Sequence, residues 1–226
     1  VPTRHHGRAR TGETLWQGFV GGLKVARSDP GIRLALPLTF AVATLIAPFI
    51  GLMPAFVMNG LGMGRAAASL MVMAQGVGAL LAALAANAVA QRWGVERLLS
   101  RSLLAAAPIA AAYWLAPSYP IAFALLVLLG GAYLWTLVGL STTCMGRVGR
   151  DLQARMNSLY ALTLSGGYSI GLVAQGWLGD RFGLRAVPAA AALAMLAVAL
   201  WLRRRGAYAA VGAPATHALE VRLVEE

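Results

Sequence analysis

Charged residues are scarce in this sequence, and their scarcity narrows the class of protein more than any motif does. Asp, Glu, Lys and Arg together make up 12% of the 226 residues, against about 25% in an ordinary soluble domain. Hydrophobic residues make up 59%, and the mean hydropathy is +0.68. This composition excludes an ordinary soluble domain and is typical of a protein that crosses a membrane several times.

No acidic residue, Lys, Arg or His lies deep within an apolar stretch. All eight acidic residues lie in connectors or tails, and so do His5, His6 and His217. The stretches contain serines but no His or Lys that would activate one, so we expect no enzyme activity. The single cysteine, Cys144, can form neither an intrachain disulfide nor a cysteine cluster, and the tail histidines predict no metal site or other cofactor.

Six apolar segments divide the chain, at residues 32–57, 66–90, 98–115, 121–145, 156–178 and 186–202. Each has about the length that a helix needs to cross the hydrocarbon core of a bilayer. We therefore predict an all-α membrane protein whose bundle of six transmembrane helices occupies residues 32–202. A basic linker with a short interfacial helix is predicted at 1–31, and a tail at 203–226.

The positions of Lys and Arg predict the orientation of the bundle. With both termini inside, residues 1–33, 91–101, 146–155 and 203–226 hold 6, 3, 3 and 4 of them, which is 16 of the 19. Cytoplasmic connectors are generally the basic ones, so both termini are predicted to be cytoplasmic in a multi-pass plasma-membrane protein. Because the basic residues lie between apolar runs and form no separate basic face, nucleic-acid binding is disfavoured.

Two similar segments indicate an internal repeat. Gln91-Arg92-Trp93-Gly94 follows the second apolar segment, and Asp180-Arg181-Phe182-Gly183 follows the fifth, with an offset of 181 − 92 = 89 residues. The same offset moves the starts of the first three segments to within a residue of the starts of the last three. Since each unit has three spans, the two units must cross the membrane in opposite directions, which predicts a 3+3 inverted repeat.

The end of the fifth segment carries the most specific motif. It reads Gly176-Trp-Leu-Gly-Asp180-Arg181-Phe-Gly183-Leu-Arg185 and resembles the Gly-x-Leu-x-Asp-Arg-x-Gly-x-Arg loop signature of the major facilitator superfamily. Residues 87–97 are similar to a decayed copy in which Gln91 replaces the Asp. Residues 16–30 and 155–160 resemble bacterial drug and siderophore exporters similar to the enterobactin exporter.

The resemblance covers residues 15–203 and implies one half of a transporter. It implies the carboxy-terminal six helices of a major facilitator fold, in an antiporter that exports a hydrophobic small molecule by proton-coupled alternating access. The amino-terminal half would belong to the same polypeptide, and it would supply the titrating group that these spans lack. Two alternatives stay open: a self-sufficient half-transporter that homodimerises, and a non-transporting membrane scaffold.

The resemblance also implies that the first and fourth spans line a central cavity. Both spans carry aromatic and hydroxyl side chains, and the first also carries three prolines. Uncharged aromatic and hydroxyl groups suit a lipophilic or weakly polar substrate. The alternative for each aromatic residue is that it faces lipid or a neighbouring helix. The candidate substrate contacts are Phe40, Thr44, Pro48, Tyr133 and Thr136.

Two further groups of residues are singled out by the loops and by the glycines. The loop signature implies gating roles for Arg92, Gly94, Asp180, Arg181, Gly183 and Arg185. The predicted topology places the second loop outside, where a plain turn with an Asp–Arg ion pair is the alternative interpretation. Small residues four apart predict close helix packing at Gly78, Ala82, Gly167 and Gly171.

Overall fold

The computed structural model describes residues 29–150 and 152–213, and every side chain among them except that of Asn87. The interfacial helix predicted before residue 29 lies outside this range. Within it the chain is helical, with no strand: α1 Pro30–Leu45, α2 Phe49–Ala55, α3 Arg65–Trp114, α4 Tyr119–Gly146, α5 Gln153–Phe182, α6 Ala186–Arg204 and α7 Ala209–Gly212. A π-helical turn, Phe56–Gly60, extends α2.

Asp29 fixes the beginning of the first membrane helix. Its Oδ1 accepts hydrogen bonds from the N–H groups of Gly31 (2.9 Å) and Ile32 (3.1 Å), which the first turn of a helix otherwise leaves without partners. Pro30 occupies the first helical position, where a proline costs no backbone hydrogen bond. The Asp-Pro-Gly sequence therefore starts α1 at a defined residue.

Two glycines of the repeated Arg-x-Gly pattern interrupt the helices. Gly94 has φ 75° and ψ 158° inside α3, so α3 consists of two helical parts joined at this residue. Gly183 has φ 102° and ends α5. Side chains other than that of glycine are strained at such positive φ values. The two breaks lie 183 − 94 = 89 residues apart, the offset of the sequence repeat.

Four helical stretches among the described residues are long and apolar enough to cross a membrane. They are Pro30–Gly60, Arg65–Ala86, Tyr119–Gly146 and Ala186–Arg204. The other two segments predicted to span, 98–115 and 156–178, are helical but less apolar. Arg101 and two serines interrupt the first of them, while Ser, Gly, Tyr and Gln residues are distributed along the second.

Glycine allows two pairs of helices to touch backbone to backbone. A Cβ atom on Gly78 of α3 would collide with the carbonyl oxygen of Val127 in α4, and one on Gly171 of α5 would collide with that of Thr44 in α1. Close approach of this kind is the usual role of small residues between membrane helices. The backbones of α3 and α4 are therefore in direct contact, and so are those of α5 and α1.

The other two candidate packing residues lie at the same two interfaces. A Cβ atom on Gly167 would lie 2.9 Å from the Ala43 side chain, so this position also belongs to the α5–α1 contact. Ala82 is buried, and its Cβ is 3.3 Å from the position that a Cβ on Gly131 would take.

Candidate functional site

The first membrane-spanning stretch is interrupted between α1 and α2. Gln175 of α5 hydrogen-bonds to the backbone carbonyl groups that the interruption leaves without helical partners. Pro48 has no N–H, so the carbonyl oxygen of Thr44 lacks its helical partner. The N–H of Phe49 donates to the carbonyl oxygen of Ile46, three residues back. The carbonyl oxygen of Leu45, four residues before Phe49, therefore also lacks its helical partner. The buried Gln175 donates from Nε2 to both oxygens, at 2.8 Å and 3.2 Å. Breaks in membrane helices persist where such groups satisfy the freed backbone.

The structure places the five candidate substrate contacts in different surroundings. On α1, Phe40 is 41% exposed, whereas Pro48 is buried at the break. The hydroxyl of Thr44, half-buried, donates to the carbonyl of Gly167 in α5 (3.2 Å). Of these three residues, Phe40 is the one that has its side chain open to a ligand.

The two candidates on α4 pack inside the bundle. Tyr133 is buried, and its ring lies edge-on to that of Phe49, with centroids 5.4 Å apart. Thr136 is fully buried, and its hydroxyl bonds to Ser102 Oγ of α3 (3.1 Å) and to the carbonyl of Ala132 (2.9 Å). Thr136 therefore joins α4 to the second part of α3.

An exposed row of hydroxyl groups lies on α5, where the sequence predicted a packing helix. Ser158, Ser165 and Ser169 are exposed and, at spacings of seven and four residues, share one edge of the helix. We call them the serine edge. The other edge of the exposed surface is apolar, with Ile170 56% and Trp177 54% exposed. The spacing of these serines is present in the sequence and would have indicated a polar edge on this helix.

A buried arginine joins three parts of the chain at one end of the bundle. Arg147, directly after α4, donates from Nη1 to Asp29 at 2.9 Å and 3.1 Å. Its Nη2 donates to three carbonyl groups of the segment around α7, those of Ala210, Val211 and Ala213, at 2.6 to 2.8 Å. The Asp29 and Arg147 side chains are 3% and 6% exposed. We call this side of the bundle the Arg147 end.

A second arginine joins the connectors at the opposite end, which we call the Arg185 end. Arg185 donates from Nη2 to the carbonyl of Gly60 (2.7 Å) and from Nη1 to that of Ala116 (3.2 Å). Its guanidinium also lies 5.4 Å from the centre of the Phe56 ring. Arg185 thus joins the loop after α5 to the π-helical turn before α3 and to the connector after α3.

The other residues of the loop after α5 do not form the Asp–Arg ion pair of the alternative interpretation. Arg181 stacks on the Trp177 ring, 3.8 Å from its centre. Asp180 is exposed and forms no salt bridge with any residue that the structure describes. The expected Asp–Arg pair is therefore not formed. Arg92 of the other loop is exposed beside Gly94.

The family of the chain follows from comparison with known proteins. A statistical model of the Major Facilitator Superfamily matches residues 35–224, which is 190 of the 226 residues. The chain belongs to the major facilitator superfamily. Neither the curated proteins nor the solved structures give a match to it.

Membership identifies this major facilitator chain as a membrane transporter and places its apolar helices in a bilayer. Members of the superfamily are generally not enzymes. Within the described ranges no three His, Cys, Asp or Glu side chains come together as metal ligands. The helix break at Pro48 lies beside α5, whose exposed surface carries uncharged hydroxyl groups.

Proposed function

We propose that this chain forms one bundle of a proton-coupled exporter that moves a hydrophobic small molecule by alternating access. The observation that carries the proposal is the serine edge of α5. The hydroxyls of Ser158 and Ser169 donate to carbonyls of their own helix, those of Ala154 (3.1 Å) and Ser165 (2.9 Å). Polar side chains at membrane depth nevertheless generally face a cavity or another helix. The serine edge therefore faces the translocation pathway.

Two features of the packing support the 3+3 inverted repeat. Gly78 and Gly167 are 89 residues apart, and each lies in the middle helix of its unit. Each also packs against the first helix of the other unit, Gly78 on α4 and Gly167 on α1. With the positive φ values of Gly94 and Gly183, this pairing favours two units that interlock in opposite orientations.

We place the proton-carrying group outside this bundle. Asp29 is the buried acidic side chain among the described residues, and Arg147 holds it at the end of a helix. A carboxylate fixed by a guanidinium in this way is stabilised in its charged form. We propose that the titrating carboxylate lies in a second six-helix bundle, which in the complete protein faces the serine edge of α5 across the pathway.

Measurement of dye export tests the proposed function. Cells that express the complete gene should accumulate less of a lipophilic fluorescent dye than cells without it, and a protonophore should abolish the difference because the proton gradient drives export. Ser165→Trp should restore accumulation, since the indole would fill the pathway. Ile170→Trp is the matched control on the apolar edge of α5 and should still export.

Three results would count against this function. Unchanged accumulation of a broad dye panel, with the protein shown to be in the membrane, would contradict export. Export that persists after collapse of the proton gradient would contradict the coupling. Equal loss in both tryptophan variants would contradict the assignment of the serine edge. Export by residues 1–226 expressed alone would instead favour a homodimeric half-transporter.

A further inference from the structure

An apolar groove runs between α3 and α4 on the surface of the bundle. Its volume is about 540 Å³, and nearly all of its lining is hydrocarbon. Leu81 and Leu128 line it and are each 58% exposed, so the groove is accessible from outside the bundle. Trp93 and Trp135 also line it, with ring centroids 6.4 Å apart. A groove with these walls fits an acyl chain.

Next to the tryptophans lies a pocket of opposite character. It measures about 290 Å³, and the side chains that line it include Arg97, Arg101, Arg203, Glu96 and Tyr208. Three guanidinium groups against one carboxylate leave a formal charge of +2. We call this the arginine pocket. It lies at the Arg147 end, because its lining continues into the segment before α7.

Tyr208 lines the arginine pocket and carries a buried hydroxyl group. The residue is 3% exposed, and its hydroxyl has no hydrogen-bond partner among the described residues. Burial raises the pKa of Tyr208 to about 12, although Arg203 opposes the rise. The hydroxyl is therefore protonated at neutral pH and able to donate. Because unpaired buried donors are unfavourable, an acceptor that reached this hydroxyl would stabilise the residue.

Arg101 joins the two cavities. It lines both the groove and the arginine pocket, and its guanidinium lies 4.7 Å from the centre of the Trp93 ring. We propose that the groove and the pocket together bind an anionic glycerophospholipid of the surrounding leaflet. Its phosphate lies among Arg97, Arg101 and Arg203, and one acyl chain occupies the groove.

The charge of the pocket selects the class of lipid. Arginine binds phosphate oxygens through several parallel N–H donors. A zwitterionic headgroup would bring its own cation to a site that already carries +2, whereas the headgroup of phosphatidylglycerol brings none. Basic clusters next to membrane helices generally recognise anionic lipids for this reason. The inference concerns a surface site and is independent of the proposed export.

Native mass spectrometry of the complete purified protein, titrated with phosphatidylglycerol, tests the proposal. We expect saturable binding that is about tenfold weaker in the double variant Arg97→Gln/Arg101→Gln. Arg204→Gln is the matched control, since Arg204 is exposed at the same end but does not line the pocket, and it should bind normally. Tyr208→Phe should weaken binding without lowering the stability of the lipid-free protein.

Variants in the groove test the acyl chain separately. Ala105→Trp should block the groove and weaken binding, while Ala112→Trp, exposed two turns further along α3 and outside the lining, should not. The proposal is overturned if phosphatidylcholine binds equally well, if Arg204→Gln weakens binding as much as the double variant, or if Ala105→Trp has no effect. Competition by soluble glycerophosphoglycerol at the affinity of the lipid would also overturn it, because the site would then bind a free phosphate ester.

Discussion

Arg147→Ala is expected to lower the free energy of unfolding by about 3–5 kcal/mol, the usual cost of removing one partner from a buried ion pair. The substitution leaves the Asp29 carboxylate without its cation and removes the donor to three carbonyl groups around α7. The unfolding midpoint of the purified protein in a detergent titration measures the loss. In the cell, we expect the variant to reach the membrane in lower amounts.

Two further variants separate the ion pair from a general effect of charge. Arg150→Ala removes an exposed arginine three residues away and should change stability by less than about 0.5 kcal/mol. Asp29→Asn retains an oxygen that caps α1. In that background, Arg147→Ala should lower the free energy of unfolding clearly less than it does in the natural sequence. Equal costs for Arg147→Ala and Arg150→Ala would show that the buried pair contributes nothing.

Gly171→Ala should destabilise the protein by about 1–3 kcal/mol, because the added methyl group forces α5 away from α1. The Cβ atom would collide with the backbone of Thr44, and a backbone cannot move aside as the end of a side chain can. The same displacement would pull Gln175 away from the broken part of α1. The unfolding midpoint in detergent again provides the measurement.

Neighbouring glycines on the same helices are the controls. Gly166 and Gly76 have no atom within 4 Å of an added Cβ, so Gly166→Ala and Gly76→Ala should be neutral or stabilising by up to about 1 kcal/mol. Gly78→Ala, which collides with Val127, should behave like Gly171→Ala. If all four variants had similar stability, close backbone contact would not hold these helices together.

Much of the fold follows from local patterns in the sequence. The all-helical membrane class is confirmed, since apolar runs of sufficient length have few other stable conformations in a bilayer. The resemblance to the major facilitator superfamily is confirmed at the level of the superfamily. The Arg-x-Gly motifs marked Gly94 and Gly183, where the chain needs a positive φ that glycine tolerates.

The contacts between distant residues were not predictable in the same way. Asp29-Pro30-Gly31 precedes the first apolar segment in the sequence, but nothing local indicates that Asp29 pairs with Arg147, 118 residues later. Thr136 was a candidate for the cavity and is buried against Ser102. A threonine on a membrane helix looks the same in sequence whether its hydroxyl faces a ligand or a neighbouring helix.

The central claim is that the serine edge of α5 lines a water-filled pathway, and thiol labelling tests it most directly. Viewed along the axis of α5, Ser165 on the serine edge and Ile170 on the apolar edge are separated by about 140°. In cells that produce the complete protein, a membrane-impermeant maleimide should label Ser165→Cys rapidly, because a thiol reacts as the thiolate in water. Ile170→Cys, which faces hydrocarbon, should remain unlabelled. Faster labelling of Ile170→Cys, or equal labelling of both, would contradict the account.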